Sequence, residues 1–290
     1  MSWKIFFLHI VFLMKQFCTS SDDLKRVCVA DMWIADKEEK DKQITQTISM
    51  VQSNHQNWAN CHGYKYAHQT HTLNPSLDPH WTKLYLIKNL LTTECSMVLW
   101  IDFDALFMHC ETSVEDLLAK EGVTEERMFI FSADTNIINS GVMIFKKSEW
   151  TFNFIDTIIA IGPTPNLGMG YENTALAIGL VGCTKESSRL ERELCYNRSD
   201  YAFIEKEEPK KKKLFKKLSL GLRVSIEGVI DPRFINQVHL ISQPNFNSYR
   251  AKTARFIVHF PNTHGNKRIS MLSRVAGRSK CNCNQTQTPK

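Results

Sequence analysis

Apolar and polar residues alternate along the chain with two different periods, which predicts strands and helices in turn. Residues 97–101 form an unbroken apolar run of strand length, which is typical of a strand covered on both faces. Residues 42–59 carry apolar side chains at helical spacing instead. We predict strands at residues 26–35, 64–69, 97–101, 128–132, 142–145, 221–230, 238–241 and 256–260, and helices at residues 42–59, 81–91, 149–161 and 172–181. The alternation favours an α/β sandwich built on a central, mainly parallel sheet.

The composition indicates a folded chain whose excess of positive charge is concentrated in one segment. Of the 290 residues, 43% are hydrophobic and 23% are charged, which excludes a wholly disordered chain. The formal net charge is +6, and residues 206–217 alone hold seven lysines. We predict that this segment is a Lys-rich surface loop that could contact an anionic membrane surface. The alternative, a nuclear-import or nucleic-acid-binding patch, fits poorly with the secretory signal described below. Without the segment no general nucleic-acid signature remains, so we expect no nucleic-acid partner.

The N-terminus has the layout of a secretory signal. A basic start precedes an apolar run over residues 5–14, which is shorter than the roughly 20 residues that span a bilayer. We predict that residues 1–20 are a signal peptide or a short signal-anchor. Cleavage after Ser20 would remove Cys18 and leave eight of the nine cysteines, an even number that suits an oxidising lumen. We therefore expect the protein in the secretory pathway, in the Golgi or ER lumen or secreted, with a Cys-containing tail over residues 273–290.

Two acidic residues follow the apolar run that ends at Ile101. In an extended chain the side chains at i and i+2 point to the same side, so Asp102 and Asp104 would present two carboxylates together where a buried strand ends. Open α/β sheets bind ligands at that edge. Paired carboxylates suit Mg²⁺ or Mn²⁺, which takes further ligands from water and substrate phosphates. The alternative is that one Asp caps a following helix while the other is solvated.

The same stretch resembles the Asp-x-Asp motif of nucleotide-sugar glycosyltransferases with the GT-A fold. Further segments are similar to glycosyltransferase family 34, the galactosyl/mannosyl/xylosyltransferase group, and they occur in that family's order. These segments are residues 54–64 (NHQNWANCHGY), 81–83 (WTK), 139–144 (NSGVMI), 149–150 (EW), 171–176 (YENTAL) and 246–249 (FNSY). The resemblance spans about residues 26–267 and implies one GT-A glycosyltransferase domain over residues 24–272.

The resemblance also implies a role for each matching residue. The implied ligands of an Mn²⁺ or Mg²⁺ ion are Asp102, Asp104 and His259. The implied contacts to the donor, a nucleoside diphosphate sugar, are Asp134, Asn139, Ser140, Gly141, Lys83 and Lys267. The implied catalytic residues beside the anomeric carbon are Glu172 and Asn173, the second of which is Gln in the family. The Gly265 and Lys267 pair follows the metal His two to three residues later than the family pattern places it, so Lys83 and Arg268 are substitutes for the diphosphate-binding cation.

The sequence therefore predicts an enzyme that moves a hexose or pentose from a nucleoside diphosphate sugar to a hydroxyl of a glycan or glycoprotein. The resemblance implies that the anomeric configuration is retained. A metal ion and a lysine would stabilise the negative charge that builds on the departing diphosphate. Two alternatives stay open. One is a secreted protein that binds glycan or nucleotide-sugar without turnover on a degenerate GT-A fold, and the other is a glycogenin-like or inverting transferase of the same fold.

Overall fold

The computed structural model describes residues 26–34, 42–133, 138–162, 171–180, 230–231, 233–261 and 265–276. The strands are β1 Val27–Met32, β2 Lys65–Gln69, β3 Met97–Ile101, β4 Ala105–Phe107, β5 Phe129–Ser132, β6 Asn139–Lys146, β7 Val238–Leu240, β8 Asn247–Ser248 and β9 Ile257–His259. The α-helices are α1 Lys42–Cys61, α2 Thr82–Thr93, α3 Val114–Lys120, α4 Glu149–Ile161, α5 Tyr171–Leu180, α6 Gln243–Phe246 and α7 Gly265–Ala276, and a 3₁₀ turn, Pro79–Trp81, precedes α2.

A six-stranded sheet in the order β2-β1-β3-β6-β5-β7 forms the centre of the described residues. β1 is parallel to β2 and β3, and β5 is parallel to β7. β6 is antiparallel to both of its neighbours, β3 and β5. The predicted central, mainly parallel sheet is therefore confirmed. Because β6 runs against the others, its first residues lie at the edge where β3 ends.

Alternate residues of the central strands enter two separate hydrophobic cores. In β3, Val98 and Trp100 pack into the core that contains α2, α4 and α5. Leu99 and Ile101 pack into the core that contains the end of α1 and the smaller sheet. A strand covered on both faces needs apolar residues at every position, which explains the unbroken run over residues 97–101.

A second sheet of three short strands, in the order β4-β9-β8, lies beside the end of β3. β4 is antiparallel to β9, and this pairing sets Ala105 opposite His259. α1 holds β4 from the other side, because the side-chain amide of Asn54 donates to the carbonyl of Phe107 (3.2 Å) and its oxygen accepts from the Phe107 N–H (2.9 Å). Trp58 of the same helix stacks on the Phe107 ring with centroids 3.9 Å apart.

One disulfide ties together the starts of two neighbouring strands. Cys28 of β1 bonds to Cys95, which lies just before β3, across 67 residues of sequence. Cys61 and Cys110 are also disulfide-bonded. The predicted use of cysteines in disulfides is thus confirmed for these positions.

The structure confirms most predicted elements within its described residues. It differs from the prediction in the region after β9. The strand over residues 97–101 and the helix over residues 149–161 have the predicted bounds. α7 begins at Gly265, where no helix was predicted, and it continues to Ala276, beyond the predicted start of the C-terminal tail. The following predicted segments lie outside the described residues, apart from Ile230: residues 1–20, 206–217, 221–230 and 277–290.

Candidate functional site

A tight turn brings the two carboxylates together. The chain leaves β3 at Asp102, and the N–H of Ala105 donates to the Asp102 carbonyl at 3.0 Å, which closes a turn before β4. The expectation of an extended chain here was wrong in its geometry, although Asp102 and Asp104 do lie near one another. A strand follows rather than a helix, so neither Asp is a helix cap. The turn is held upstream by the Asp102 N–H, which donates to the Gly141 carbonyl at 2.6 Å.

His259 joins the two carboxylates in a cluster of three side chains that could hold a metal ion. One potential ligand atom from each of Asp102, Asp104 and His259 lies within 4.8 Å of the others. Nε2 of His259 is 3.0 Å from Oδ1 of Asp104, and its Nδ1 is buried without a hydrogen-bond partner. Mg²⁺ binds oxygen at about 2.1 Å, so ligands around one ion lie up to about 4.2 Å apart and the three atoms need only a small contraction. Two carboxylates and an imidazole with an orphaned nitrogen therefore fit Mn²⁺ or Mg²⁺.

The glycine at position 141 leaves the space that the imidazole occupies. A Cβ at Gly141 would lie 2.1 Å from Cε1 of His259, far inside van der Waals contact. β6 begins two residues earlier, at Asn139. Because Gly141 has no side chain, the ring of His259, which belongs to the three-stranded sheet, can reach the end of the six-stranded sheet.

A buried lysine bridges helix α5 and the turn at residues 102–105, which is called the metal turn below. Lys83 of α2 is only 2% exposed, and its Nζ lies 3.0 Å from Oδ1 of Asp102 and 2.6 Å from Oε1 of Glu172. Burial would lower the pKa of Lys83, but Asp102 and Glu172 outweigh it and raise the pKa. Oδ1 of Asp102 also accepts from Nε1 of Trp100 at 2.7 Å. Lys83 is thus a fixed positive charge against one face of the candidate metal site.

A second cation faces the other carboxylate. The guanidinium of Arg268 lies 3.6 Å from Oδ2 of Asp104. Burial would raise the pKa of Asp104, but the adjacent His259 and Arg268 outweigh it and hold the pKa below its usual value. Lys267 is exposed, whereas Arg268 lines the cavity beside the turn. Of the cations considered from the sequence, Lys83 and Arg268 are therefore the ones at the site.

The amide and hydroxyl groups at the start of β6 are used within the protein. The oxygen of the Asn139 side chain accepts from the Gly141 N–H (2.9 Å) and from Asn247 (2.8 Å). Its nitrogen donates to the hydroxyl of Tyr249 at 2.5 Å. These bonds fix the strand end around Gly141, so Asn139 supports the site rather than presenting a free amide to it.

The two residues proposed as catalytic lie at the start of α5 and contact Ser140. Oγ of Ser140 donates to Oε1 of Glu172 at 2.8 Å, and the Ser140 N–H donates to Oδ1 of Asn173 at 2.9 Å. Glu172 is 4% exposed and Asn173 is partly exposed. The structure therefore brings Glu172 and Ser140 to Lys83, and Asn173 to the backbone of Ser140. Asp134 lies outside the described residues.

A cavity of about 240 Å³ opens beside the two carboxylates of the candidate metal group. Its lining contains the charged residues Lys83, Asp102, Asp104 and Arg268, and it also includes Trp33 and Thr47, whereas Glu172 and Asn173 do not line it. Trp33 and Thr47 are not among the site residues predicted from the sequence. The position of Trp33 just past the carboxyl end of β1 was a usable signal, because open α/β sheets bind ligands beyond that end.

Part of the chain matches a known family. Residues 27–125 match the galactosyl transferase GMA12/MNN10 family. This chain resembles glycosyltransferase family 34. The match covers β1, α1, β2, α2, β3, the metal turn and α3, whereas His259 and α5 lie beyond it.

Individual relatives are distant. Glycosyltransferase 6 of Arabidopsis thaliana is 23% identical over 116 residues, which are 37% of this chain and 26% of that protein. This chain thus matches about a quarter of the length of that relative. Among solved structures, a glycosyltransferase involved in the glycosylation of the major capsid of PBCV-1 superposes with a TM-score of 0.54 at 9% identity, over 86% of this chain and 99% of the other. That likeness concerns the fold, and it supports the GT-A type. None of the described helices is long and apolar enough to cross a bilayer.

Proposed function

We propose that this protein is a metal-dependent glycosyltransferase that moves a sugar from a nucleoside diphosphate sugar to a hydroxyl of a glycan or glycoprotein, with retention of configuration. The observation that carries the proposal is the Asp102, Asp104 and His259 group, whose two carboxylates line a cavity that is also lined by Lys83 and Arg268. The family match over residues 27–125 supports a sugar-transferring enzyme. The ion would be Mn²⁺ or Mg²⁺.

The charges around the cavity suit a diphosphate. Asp102, Asp104, Lys83 and Arg268 line the cavity, and Glu172 is paired with Lys83, so the group holds three negative and two positive charges. The group therefore carries a net charge of about −1 by itself and about +1 with a divalent cation, in a partly buried site where charges interact more strongly than in water. A net positive site attracts the nucleotide and stabilises the charge that develops on the leaving diphosphate.

The residues around the cavity have different roles in the proposed transfer. When bound, the divalent ion supplies electrostatic stabilisation of the diphosphate as it leaves. Arg268 lines the cavity beside Asp104, so its guanidinium donates to phosphate oxygens. Lys83 holds Glu172 and Asp102 in fixed positions, because its Nζ contacts both. Trp33 and Thr47 also line the cavity, and an aromatic side chain there suits a nucleoside.

One observation favours binding without transfer as the second candidate. Oδ1 of Asn173 accepts from the Ser140 N–H, and Glu172 is bound to Lys83 and Ser140. Both side chains are therefore engaged inside the protein rather than directed at a substrate. A protein that binds nucleotide-sugar on this fold and does not turn it over would retain the metal group and the cavity while using Glu172 and Asn173 as supports.

The test measures metal, donor and turnover separately. Mn²⁺ is titrated into the full chain by isothermal calorimetry, followed by UDP- and GDP-sugars, and transfer is assayed against glycan acceptors. Asp104→Asn should weaken Mn²⁺ binding by about 100-fold or more, since even a residue that only supports a ligand costs 10- to 100-fold. Asp156→Asn is the matched control, because Asp156 is an exposed Asp of α4 paired with Lys88. Wild-type protein that binds no Mn²⁺ contradicts the proposal, and donor binding without transfer to any acceptor favours the second candidate.

We propose the lumen of the secretory pathway as the compartment. The Cys28–Cys95 disulfide supports this location, because disulfides persist in oxidising compartments. Contact of the Lys-rich segment over residues 206–217 with a membrane surface stays a prediction. Mass spectrometry of the protein secreted by expressing cells tests the location, since a chain that starts near Ser21 is expected.

A further inference from the structure

A buried hydrogen-bond network joins β1, β2 and α1 directly beneath the metal turn. Asp31 near the end of β1 is completely buried. Its Oδ2 contacts Nδ1 of His55 at 2.5 Å and accepts from the Tyr66 hydroxyl at 2.7 Å, while its Oδ1 contacts Nδ1 of His68 at 2.6 Å. Burial would raise the pKa of Asp31, but the hydrogen bonds from His55 and His68 outweigh it and lower the pKa. The carboxylate at the centre of the network is therefore ionised.

His55 connects this network to the metal turn. It is also completely buried, and its Nε2 lies 2.9 Å from the carbonyl oxygen of Ala105, the residue that closes the turn. A carboxylate and a carbonyl both accept hydrogen bonds, so His55 satisfies the two partners only when it donates from both nitrogens. The ring of Phe103, at the middle of the turn, packs against the His55 ring with centroids 6.1 Å apart.

We propose that His55 is the positioning residue of the metal turn, fixing the Ala105 carbonyl to the buried Asp31 so that Asp104 faces His259. The turn then has two anchors. Gly141 holds its first residue through the Asp102 N–H at 2.6 Å, and His55 holds its last. Ala105 follows Asp104 and lies opposite His259 in the β4–β9 pair. A displacement of Ala105 therefore moves Asp104 relative to His259. His55 has no exposed surface, so it acts through the turn and does not touch the donor.

Two substitutions at this position separate the two hydrogen bonds. The amide nitrogen of Asn hangs from Cγ, as Nδ1 does in His, whereas the amide nitrogen of Gln is one bond farther out, as Nε2 is. His55→Asn therefore keeps a donor for Asp31 and loses the bond to Ala105. His55→Gln keeps a donor for Ala105 and loses the bond to Asp31. If His55 only stabilised the Asp31 network, His55→Asn would be the milder change; if it positions the turn, His55→Gln is the milder one.

The first measurement is made on the metal-free protein. Hydrogen exchange of the peptides that cover residues 102–107 should accelerate by about tenfold in His55→Asn, because a hydrogen bond that holds the turn is gone, and stay within about threefold of wild type in His55→Gln. Tyr66→Phe is the control, since it removes a donor to Asp31 and leaves the Ala105 contact in place. Equal exchange in all three variants, or faster exchange in His55→Gln than in His55→Asn, overturns the proposal.

The second measurement is Mn²⁺ affinity, and it rests on the metal site of the proposed function. His55→Asn should weaken binding of Mn²⁺ alone by about 10- to 100-fold, with His55→Gln and Tyr66→Phe within about threefold of wild type. A further variant, Asp31→Asn, keeps the hydrogen bond between His55 and Ala105. In that variant a neutral His55 ring still donates from Nε2 to the Ala105 carbonyl, and its Nδ1 accepts from the new side-chain amide at position 31. An Asp31→Asn loss as large as that of His55→Asn overturns the positioning role. Wild-type protein that fails to bind Mn²⁺ contradicts the proposed function instead, and the exchange experiment still decides the role of His55.

Discussion

The sharpest test of the site is the addition of one methyl group, Gly141→Ala. The new Cβ would lie 2.1 Å from Cε1 of His259, and ordinary contact begins at 3.4 Å, so the ring must retreat by about 1.3 Å. Metal ligands tolerate deviations of only about 0.2 Å. The His259 backbone is held in β9 opposite Ala105 and cannot retreat as a unit without breaking the pair. We expect Mn²⁺ affinity to fall by about 100-fold, with about 1–3 kcal/mol lost from the free energy of unfolding through overpacking.

The assay is Mn²⁺ calorimetry combined with urea unfolding, and the chain offers a matched control. In Gly179→Ala, on α5, the new Cβ would lie 2.2 Å from Cδ1 of Ile158, a similar clash in a helix pair away from the metal group. Alanine also favours the helix by about 1 kcal/mol, so the net stability change should be small. Mn²⁺ affinity should stay within about twofold of wild type. A Gly141→Ala protein that binds Mn²⁺ within threefold of wild type, or a control that loses as much affinity, would refute the reasoning.

Three further outcomes are expected. Replacing both Cys28 and Cys95 by Ala should lower the free energy of unfolding by about 4 kcal/mol for the 67-residue loop that the disulfide closes, measured by urea unfolding, and a change under 1 kcal/mol would contradict that origin. The pKa of Asp31 is lowered from 3.8, so ionised Asp31 stabilises the folded state above about pH 4, and this contribution is lost as the pH falls through the folded-state pKa. Asp31→Asn should therefore make the free energy of unfolding depend less on pH at acid pH, and an unchanged dependence would contradict the lowered pKa. Asn173→Ala leaves a buried N–H without its acceptor, and it should cost about tenfold or more in kcat/KM with Mn²⁺ affinity unchanged; equal transfer rates would remove Asn173 from the site.

Local patterns predicted those elements whose burial leaves a regular pattern of apolar residues along the chain. The run at residues 97–101 reads as a strand because both faces are covered, and residues 149–161 read as a helix because one face packs on the sheet. β4 was missed because three residues carry no periodicity, and its partner β9 lies about 150 residues away in sequence. A strand that exists through such a distant pairing leaves no local signal.

The residue types of the candidate metal group could be chosen from sequence, but their connections could not. The residue pattern after the buried strand indicated Asp102 and Asp104, the likeness to a family added His259, and the structure brings their ligand atoms together. Lys267 was the first choice for a cation, yet the helix that begins at Gly265 leaves its side chain exposed while Arg268 lines the cavity. Without knowledge that residues 265–276 are helical, nothing in the sequence separates these two neighbours.

The contact between Asn54 and β4 bears on how related sequences can vary. Asn54 reaches the backbone N–H and C=O of Phe107, as a neighbouring strand would, so this pairing does not depend on the side chain at position 107. Another large apolar residue could stack on Trp58 there, whereas a residue other than Asn at position 54 would leave two backbone groups of a buried strand unsatisfied. Among relatives, variation is therefore expected at position 107 and invariance at position 54. A residue in the segment that resembles the family would then be kept for the architecture it permits, with no part in the proposed sugar transfer.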